Sequence, residues 1–326
     1  MDLRHLRTFV AVADVGSVSK AAVRLHIAQP ALSRQIRALE DEFGVQLFQR
    51  VSGRLQLSPA GERLLGECRG LLNYARELGE HVQLLKRPDA GVLRVAASPH
   101  FLEAVFPDFL RRYAKRYPDV HVKLVDIMGV AAVQMLERGE IHVAQSAERL
   151  LTPAHAHIDS LPLVTVEMLA AFKPDLPIAR TESVDIAQLA PFPLLQGGLE
   201  YLMRQSFDAA CRLAGFEPAV ALESHAPHPL LAMAEAGHGV AIIPSAVRTL
   251  GYRLRIARVT YRQEAIVQPL HILIDRRRHR PLYMDAFCRM LVEYVQGRFP
   301  ITRPMGYARR RASRRDARAG STTQHR

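Results

Sequence analysis

The chain has 326 residues, of which 48% are hydrophobic and 23% are charged. That length suits two or three domains, and the composition is that of a globular protein with a buried core. No apolar run reaches the length that a membrane span needs, and the charged first five residues lack the apolar core of a secretory signal. We therefore predict a cytoplasmic protein without a membrane partner.

The net charge of +12 is concentrated at the two ends of the chain. Residues 1–58 hold eight Lys or Arg against five Asp or Glu, residues 89–300 hold twenty-three against twenty-two, and residues 301–326 hold eight against one. Basic termini favour nucleic acid as a partner. The middle region is nearly neutral, and we expect it to have a different task. The three cysteines are far apart and predict neither a disulfide framework nor a Cys-x-x-Cys metal pair.

The first 58 residues predict three short helices. Apolar residues repeat on one face of residues 3–15, and Ser17 is placed to cap a second helix after a glycine break. A third helix opens with Pro30 and ends at Gly44, with apolar residues every three or four positions. A short helix, a tight turn and an amphipathic helix together form the helix-turn-helix pattern.

The next segments predict a wing and a linker helix. Two strand-like runs flank Ser52-Gly53, which indicates a hairpin. Residues 59–88 predict one long helix with a heptad-like apolar seam: Leu64, Cys68, Leu71, Ala75, Leu78, Val82 and Leu85. This helix either pairs with a second copy or packs on its own domain, and a hinge signal at residues 88–91 favours the dimer.

From residue 92 onward, strand-like and helix-like stretches alternate. Strands are predicted near residues 92–97, 120–127, 141–145, 161–172, 192–195, 219–222, 239–243 and 269–274, and helices near 101–117, 130–138, 201–214, 227–236 and 282–297. This alternation predicts an α/β domain split in two, with ligands at the carboxyl ends of the strands. The arginine-rich end predicts a disordered tail. The predicted domains are residues 1–58, 59–88, 89–300 and 301–326.

Several motifs occur in order along residues 1–300 and resemble the LysR-type transcriptional regulators: Leu3-x-x-Leu6-x-x-Phe9, Gly16-Ser17-x-Ser19-x-Ala21-Ala22, Gln29-Pro30-Ala31-Leu32-Ser33-x-Gln35-Ile36, Leu39-Glu40, Leu57-Ser58-x-Ala60-Gly61, Tyr117-Pro118-x-Val120 and Gly237-His238-Gly239. The resemblance implies a winged helix-turn-helix, a linker dimerisation helix and an effector domain of two α/β subdomains similar to periplasmic solute-binding proteins. It also implies homotetramers, built from two dimers on bent promoter DNA, and a small-molecule inducer between the subdomains.

Within that motif, the predicted DNA-reading residues lie at the start of the third helix and opposite its apolar stripe: Gln29, Pro30, Ser33, Arg34 and Arg37. Arginine pairs with guanine and glutamine with adenine in the major groove of DNA. Arg50 and Arg54 flank the predicted hairpin turn and are expected to contact phosphates and the minor groove. The alternative for all of these side chains is an ordinary solvated surface.

The predicted effector site collects residues at strand ends and helix starts in the middle region: Ser98, His100, Phe101, Met128, Gly129, Tyr201 and Leu202. Ser98 follows a strand and precedes a helix whose free N–H groups suit an anion, and the family often uses this serine for its ligand. A plain helix cap is an equal alternative for Ser98. The chain departs from the family's pattern at Met128, where a small or polar residue is common, and at His142, where Asp is common. These departures indicate a more apolar cleft. We therefore expect the ligand to be a partly apolar organic anion.

No motif in the sequence predicts catalysis, a cofactor or a metal site. Residues 17–20 match the Ser-x-x-Lys pattern but lie on the DNA-binding helices. His155-x-His157 and His225-x-x-His228 lack the further ligands of a metal site and are interpreted as surface histidines. We predict an effector-controlled, sequence-specific DNA-binding transcriptional regulator that is not an enzyme. The alternatives are a solute-binding or transport-associated protein, suggested by the middle region alone, and an enzyme with an appended regulatory module.

Overall fold

The computed structural model describes residues 2–51, 54–86, 90–178 and 182–304. The N-terminal elements are α1 (Leu3–Val15), α2 (Val18–Leu25), α3 (Gln29–Phe43), β1 (Phe48–Val51), β2 (Arg54–Leu57) and the long α4 (Pro59–Lys86). The middle of the chain continues with β3 (Gly91–Ala97), α5 (Pro99–Arg116), β4 (Val120–Asp126), α6 (Gly129–Glu137), β5 (Val143–Ser146) and β6 (Ile158–Phe172).

The remaining elements are β7 (Ser183–Asp185), β8 (Leu194–Gln196), α7 (Leu202–Leu213), β9 (Val220–Glu223), α8 (Pro227–Ala236), β10 (Val240–Pro244), β11 (Arg255–Tyr261), β12 (Glu264–Ala265), β13 (Val267–Asp275) and α9 (Leu282–Gln296). The sequence pattern finds the larger helices and strands within a few residues. It misses β7, β11 and β12, which are the strands at one edge of the second sheet.

The N-terminal region is a winged helix-turn-helix, as predicted. Leu6, Phe9 and Leu32 meet in a core shared by α1, α2 and α3. Ser17 caps α2, since its hydroxyl accepts a hydrogen bond from the backbone N–H of Lys20. Strands β1 and β2 pair antiparallel to form the wing. The predicted turn at residues 52–53 lies outside the described residues.

Helix α4 is used differently along its length. Its first half packs on the N-terminal domain, because Leu64 and Cys68 belong to the same core as α1. Further along, the side chains of Leu71, Leu78 and Val82 are about half exposed. The predicted seam therefore divides into a part that packs within the domain and a part that faces outward. Of the predicted hinge at residues 88–91, residues 88 and 89 lie outside the described ranges, and Gly91 begins β3.

The effector region consists of two α/β subdomains that share one long strand. Subdomain I contains β3, β4 and β5 in a parallel group, and subdomain II contains β8, β9 and β10 in another. The fifteen-residue strand β6 pairs with β13 in the first sheet and then with β10 and β11 in the second. This strand therefore belongs to both subdomains and carries the crossing between them.

Each subdomain has its own hydrophobic core. In subdomain I, α5 and α9 pack together through aromatic rings, with the centroids of Phe109 and Phe287 5.0 Å apart. The packed chain continues past α9, where the backbone N–H of Thr302 donates to the carbonyl oxygen of Ser245 over 3.0 Å. Residues 301–304 are thus part of the folded region, which corrects the predicted start of the tail at residue 301. Residues 305–326 lie outside the described ranges.

Candidate DNA-binding face and effector cleft

The face of α3 opposite its buried stripe presents the predicted DNA-reading side chains. Gln29, Pro30, Arg34 and Arg37 are exposed, and Ser33 is half-buried. The hydroxyl of Ser19 on α2 donates to Oε1 of Gln29 over 3.1 Å, which orients that amide. Within the described parts of the chain, neither Arg34 nor Arg37 is paired with a carboxylate. These two side chains therefore offer unpaired positive charge to a polyanion.

The wing is fixed to α3 by a half-buried carboxylate. Oε1 of Glu40 accepts hydrogen bonds from the backbone N–H groups of Leu47 at 2.7 Å and Phe48 at 3.2 Å. Arg50 and Arg54 are exposed on the two wing strands that follow. Because Glu40 lies on α3 itself, its hydrogen bonds hold the start of the wing against that helix.

A cavity of about 120 Å³ lies between the two subdomains. Strands β3, β5 and β8 end at it, and helices α5, α6, α7 and α8 begin at it. Six of the seven residues predicted for the effector line this cavity: Ser98, His100, Met128, Gly129, Tyr201 and Leu202. Roughly 10–15 Å³ of such space holds one water molecule, so the cavity accommodates on the order of ten water-sized groups.

The seventh residue, Phe101, is not a cleft residue, and its prediction is wrong. Its ring is fully buried in the core of subdomain I, against Phe106 and Phe299. Successive side chains on an α-helix diverge by about 100°, so the residue after the cleft-facing His100 turns toward the protein interior. Adjacent positions in sequence therefore serve different purposes in the structure.

Ser98 lies at the centre of a small hydrogen-bond network. Its backbone N–H donates to Oε1 of Gln145 over 3.1 Å, its hydroxyl donates to the same oxygen over 3.3 Å, and that hydroxyl lies 3.2 Å from Nε2 of His100. The hydroxyl makes these contacts instead of capping α5, so the plain helix-cap alternative does not hold. Burial, with a smaller contribution from His228, lowers the pKa of His100 to about 4, and the imidazole is neutral at pH 7.

The buried polar residues at the strand ends were not predicted from the sequence. Gln145, Ser146 and Gln196 line the cavity and are no more than 5% exposed. Both amide atoms of Gln196 and the hydroxyl of Ser146 have no hydrogen-bond partner among the described residues. A polar residue that closes an otherwise apolar strand was the available signal. An unpaired buried polar atom costs about 1–3 kcal/mol, so these atoms call for a ligand or water.

The charged side chains of the cleft are already paired. Nε of Arg204 bonds both carboxylate oxygens of Asp208, at 2.9 and 2.8 Å, and its Nη1 bonds Glu223 at 2.8 Å. At the mouth, Nδ1 of His225 lies 2.6 Å from the carboxylate of Glu200. Burial and then the charge of Glu200 raise the pKa of Tyr201, and its phenol donates to the carbonyl oxygen of His225.

The histidine pairs lie beside carboxylates. His155 and His157 each place Nε2 within 3.8 Å of Glu137, at 3.7 and 3.8 Å. Nδ1 of His155 accepts the backbone N–H of Thr152, so the ring proton is on Nε2, facing the acid. His228 contacts Glu103 across the subdomain boundary at 2.8 Å. Among the described residues, no group of three potential ligands has the arrangement that a metal needs.

Comparison with known proteins identifies the family. The model of the bacterial regulatory helix-turn-helix protein, lysR family, matches residues 3–62, and the model of the LysR substrate binding domain matches residues 86–296. The chain belongs to the LysR family. It is 30% identical to the HTH-type transcriptional regulator AlsR of Bacillus subtilis, over 82% of this chain and 87% of AlsR. It is also 30% identical to the regulator TfdS of Cupriavidus pinatubonensis, over 77% and 84%.

Solved structures agree with this assignment. The LysR-family regulator CbnR matches with a TM-score of 0.66 and 25% identity, over 90% of this chain and 99% of CbnR. CbnR in complex with its target DNA matches with the same TM-score and 26% identity, over 91% and 99%. This LysR-family protein is a DNA-binding transcriptional regulator with a substrate-binding effector domain. The transport-associated alternative is wrong, since the matched relatives are named as transcriptional regulators. Within the described residues, no helix is long and apolar enough to cross a membrane.

Proposed function

We propose that this LysR-family regulator reads promoter DNA through α3 and its wing, that it acts as a homodimer or homotetramer, and that a small effector in the cleft controls it. The observation that carries the proposal is the presence in one chain of a helix with exposed, unpaired arginines and, in a separate domain, a cavity with unpaired buried polar atoms. The first suits a polyanion and the second suits a small ligand.

The DNA-reading assignment is supported by the geometry of α3. Ser33, Arg34 and Arg37 lie on its outer face, while Ile36 and Leu39 lie in the core. A recognition helix in the major groove of DNA needs this division, with base-contacting side chains outward and apolar ones inward. Gln29, Pro30, Arg50 and Arg54 complete the proposed contact surface, and CbnR has been captured with its target DNA on the same fold.

The exposed part of α4 supports assembly with a second copy. Leu71, Tyr74, Leu78 and Val82 recur every three or four positions and are 45% to 60% exposed. An apolar stripe of this spacing on a helix is the contact surface of helix pairs. A dimer would place two recognition helices side by side, as promoter half-sites require.

Control by an effector requires a connection between the cleft and the DNA-binding region. Strand β3 contains Arg94 and ends at the residue before Ser98, and Nη1 of Arg94 donates to Glu80 on α4 over 3.1 Å. Nδ2 of Asn73 on α4 donates to the carbonyl oxygen of Arg138 over 2.8 Å. These contacts join the linker helix to the sheet that ends at the cleft. A ligand that prefers one arrangement of the subdomains shifts the population of the whole protein.

We further propose that the protein works in the cytoplasm without a cofactor and is not an enzyme. The Ser-x-x-Lys pattern supports this, because Ser17 is engaged as the cap of α2 and Lys20 supplies the N–H that it accepts. The neutral, buried His100 beside Ser98 does not supply a base of useful strength, since burial lowers its pKa to about 4.

Promoter recognition is tested with the full-length protein and the DNA upstream of its own gene. In gel-shift titrations at fixed salt, we expect this fragment to be bound at least a hundredfold more tightly than a scrambled fragment of equal length. Equal affinity for both fragments, and for fragments upstream of neighbouring genes, would contradict sequence-specific regulation by this protein.

A further inference from the structure

The cleft contains an unsatisfied hydrogen-bonding group on each side. Gln196 ends β8 in subdomain II and is 1% exposed, and Ser146 ends β5 in subdomain I and is 4% exposed. The two Gln196 amide atoms and the Ser146 hydroxyl have no partner among the described residues, although both side chains line the cavity. Buried polar side chains in folded proteins are nearly always paired. These atoms therefore indicate the chemistry of the group that they receive.

The amide of Gln196 restricts that group more than the hydroxyl does. It offers N–H donors and a carbonyl acceptor side by side. A carboxylate only accepts hydrogen bonds, so it would leave Oε1 of Gln196 unpaired, whereas an ammonium only donates and would leave Nε2 unpaired. A carboxamide or urea group has both a carbonyl oxygen and an N–H. The Ser146 hydroxyl can take either role beside it.

The charges of the cleft disfavour an anion. Of the described residues that line the cavity, Arg204 is the only lysine or arginine, and it is bonded to two carboxylates, Asp208 and Glu223. That cluster carries one net negative charge. Glu200 adds a further carboxylate at the mouth. A ligand with a full negative charge would lose its hydration and find no unpaired cationic side chain among these lining residues.

The helix starts around the cavity provide donors for a neutral oxygen. Helices α5, α6, α7 and α8 all begin at the cleft, but prolines at positions 99, 227 and 229 remove N–H groups from the first turns of α5 and α8. In α6 and α7 the N-cap side chain makes no hydrogen bond to the first turn. Their first-turn N–H groups lack intrahelical acceptors. Met128, Met203, Ile242 and Leu270 form apolar walls. The surroundings thus suit a carbonyl group carried on a short apolar body.

We propose that the effector is a small uncharged molecule with a carboxamide or urea head group on an apolar body, and that Gln196 and Ser146 hold that head group. The proposal rests on the effector control proposed above and replaces the organic anion predicted from the sequence. The carbonyl oxygen accepts from Nε2 of Gln196 and from helix N–H groups, and the ligand N–H donates to Oε1 of Gln196.

Three probes with one body and different head-group charges test this class directly: benzamide, benzoate and benzamidine. Calorimetry with the full-length protein at pH 7.5 and constant ionic strength measures each affinity. We expect benzamide to bind at least tenfold more tightly than benzoate or benzamidine. Ser146→Ala is expected to weaken benzamide severalfold and leave the order of the three probes unchanged.

The variant Gln196→Glu keeps the shape of the side chain but replaces its donor with a negative charge. We expect it to weaken benzamide at least tenfold and to strengthen benzamidine, whose two N–H groups pair with a carboxylate. Gln263→Glu, at the exposed turn between β11 and β12, adds the same charge outside the cleft and is expected to change neither affinity. Because the same variant is expected to bind benzamidine more tightly, a loss of folding would not explain its weaker binding of benzamide.

Two results would overturn the proposal: benzoate binding as tightly as benzamide to the unmodified protein, or no benzamide binding at millimolar concentration. Unchanged benzamide affinity in Gln196→Glu would overturn the assignment to Gln196. Gel shifts on the upstream DNA fragment are measured with each protein. They test regulation by DNA binding and do not depend on the ligand class, so failure of the two proposals is distinguishable.

Discussion

The arginines of the proposed DNA-binding face and the arginine of the proposed effector cleft carry the same charged group but differ in their pairing. Arg34 and Arg37 are exposed, and no described carboxylate pairs with them, whereas Arg204 is 8% exposed and bonded to Asp208 and Glu223. The arginines of α3 are available to a partner, whereas the arginine of the cleft is paired with carboxylates of its own subdomain. The difference shows that a count of basic residues does not identify an anion site unless the pairing of each one is known.

Histidines show a second contrast between the two regions. His26 in the DNA-binding region is exposed, while His100 and His142 in the effector region are mostly buried and have a pKa near 4. Burial is the main cause for both, followed by His228 for His100 and by Arg94 for His142. The effector region should therefore respond to acid more strongly than the helix-turn-helix.

The largest effect on stability is expected at Phe101, a core residue that was predicted from the sequence to line the cleft. Phe101→Ala should reduce the free energy of unfolding by about 3–5 kcal/mol, since it leaves a cavity among the rings of subdomain I. Thermal and urea unfolding measure it. Leu282→Ala, at a side chain that is 73% exposed, should change stability by no more than about 0.5 kcal/mol. If Phe101→Ala were as stable as the unmodified protein but bound the cleft ligand differently, the assignment of Phe101 to the core would be contradicted.

A smaller effect, on DNA binding, is expected at the outer face of α3. Ser33→Ala and Arg34→Ala should each cost about 1–3 kcal/mol of sequence-specific DNA binding, because each removes a base-reading side chain from the outer face of α3. Gel shifts against the upstream and scrambled fragments measure this. Arg262→Ala removes an exposed arginine of the effector region and serves as the control. If both α3 variants still discriminate between the fragments as well as the unmodified protein, this face does not read the sequence.

The pH dependence of stability tests the contrast between histidines. The folded state keeps His142 neutral, whereas the unfolded chain binds a proton below about pH 6.5, so stability falls as the pH falls from 6.5 toward 4. At pH 5 the loss from His142 is about 2 kcal/mol. Urea unfolding at pH 7.5 and 5 should show a smaller difference for His142→Gln than for the unmodified protein, and no change for the exposed His238→Gln. An identical difference in all three proteins would rule out this role.

The smallest effect is expected from the arginine-rich end of the chain. Deleting residues 305–326 removes seven arginines and one aspartate and keeps the packed residues 301–304. Affinity for upstream and scrambled DNA should fall together, and the slope of log affinity against log salt should decrease by about one for each phosphate that these arginines neutralise. A salt dependence that does not change on deletion would show that this segment only adds solubility.

The sequence alone determined the elements whose signals are local. The spacing of apolar residues in α3, the cap at Ser17 and the glycine at Gly44 are set within a few residues of one another, and the structure has each of them. The exposure of Arg34 follows from the same helical period. The alternating strands and helices of the two subdomains were predicted in the same way, because burial on both sides leaves long apolar runs in a sheet.

The tertiary structure decided which distant residues meet. Strand β11 was missed because its polar positions hide the pattern, and its pairing with β6 and β7 fixes it. Only the packing of α4 on α1 separates Cys68, which is buried, from Leu78, which is exposed. Gln196 and Ser146 are fifty positions apart in the sequence yet line one cleft, and no local pattern predicts that they do. Burial, charge pairing and unsatisfied hydrogen bonds are properties of the assembled chain, and the ligand chemistry depends on them.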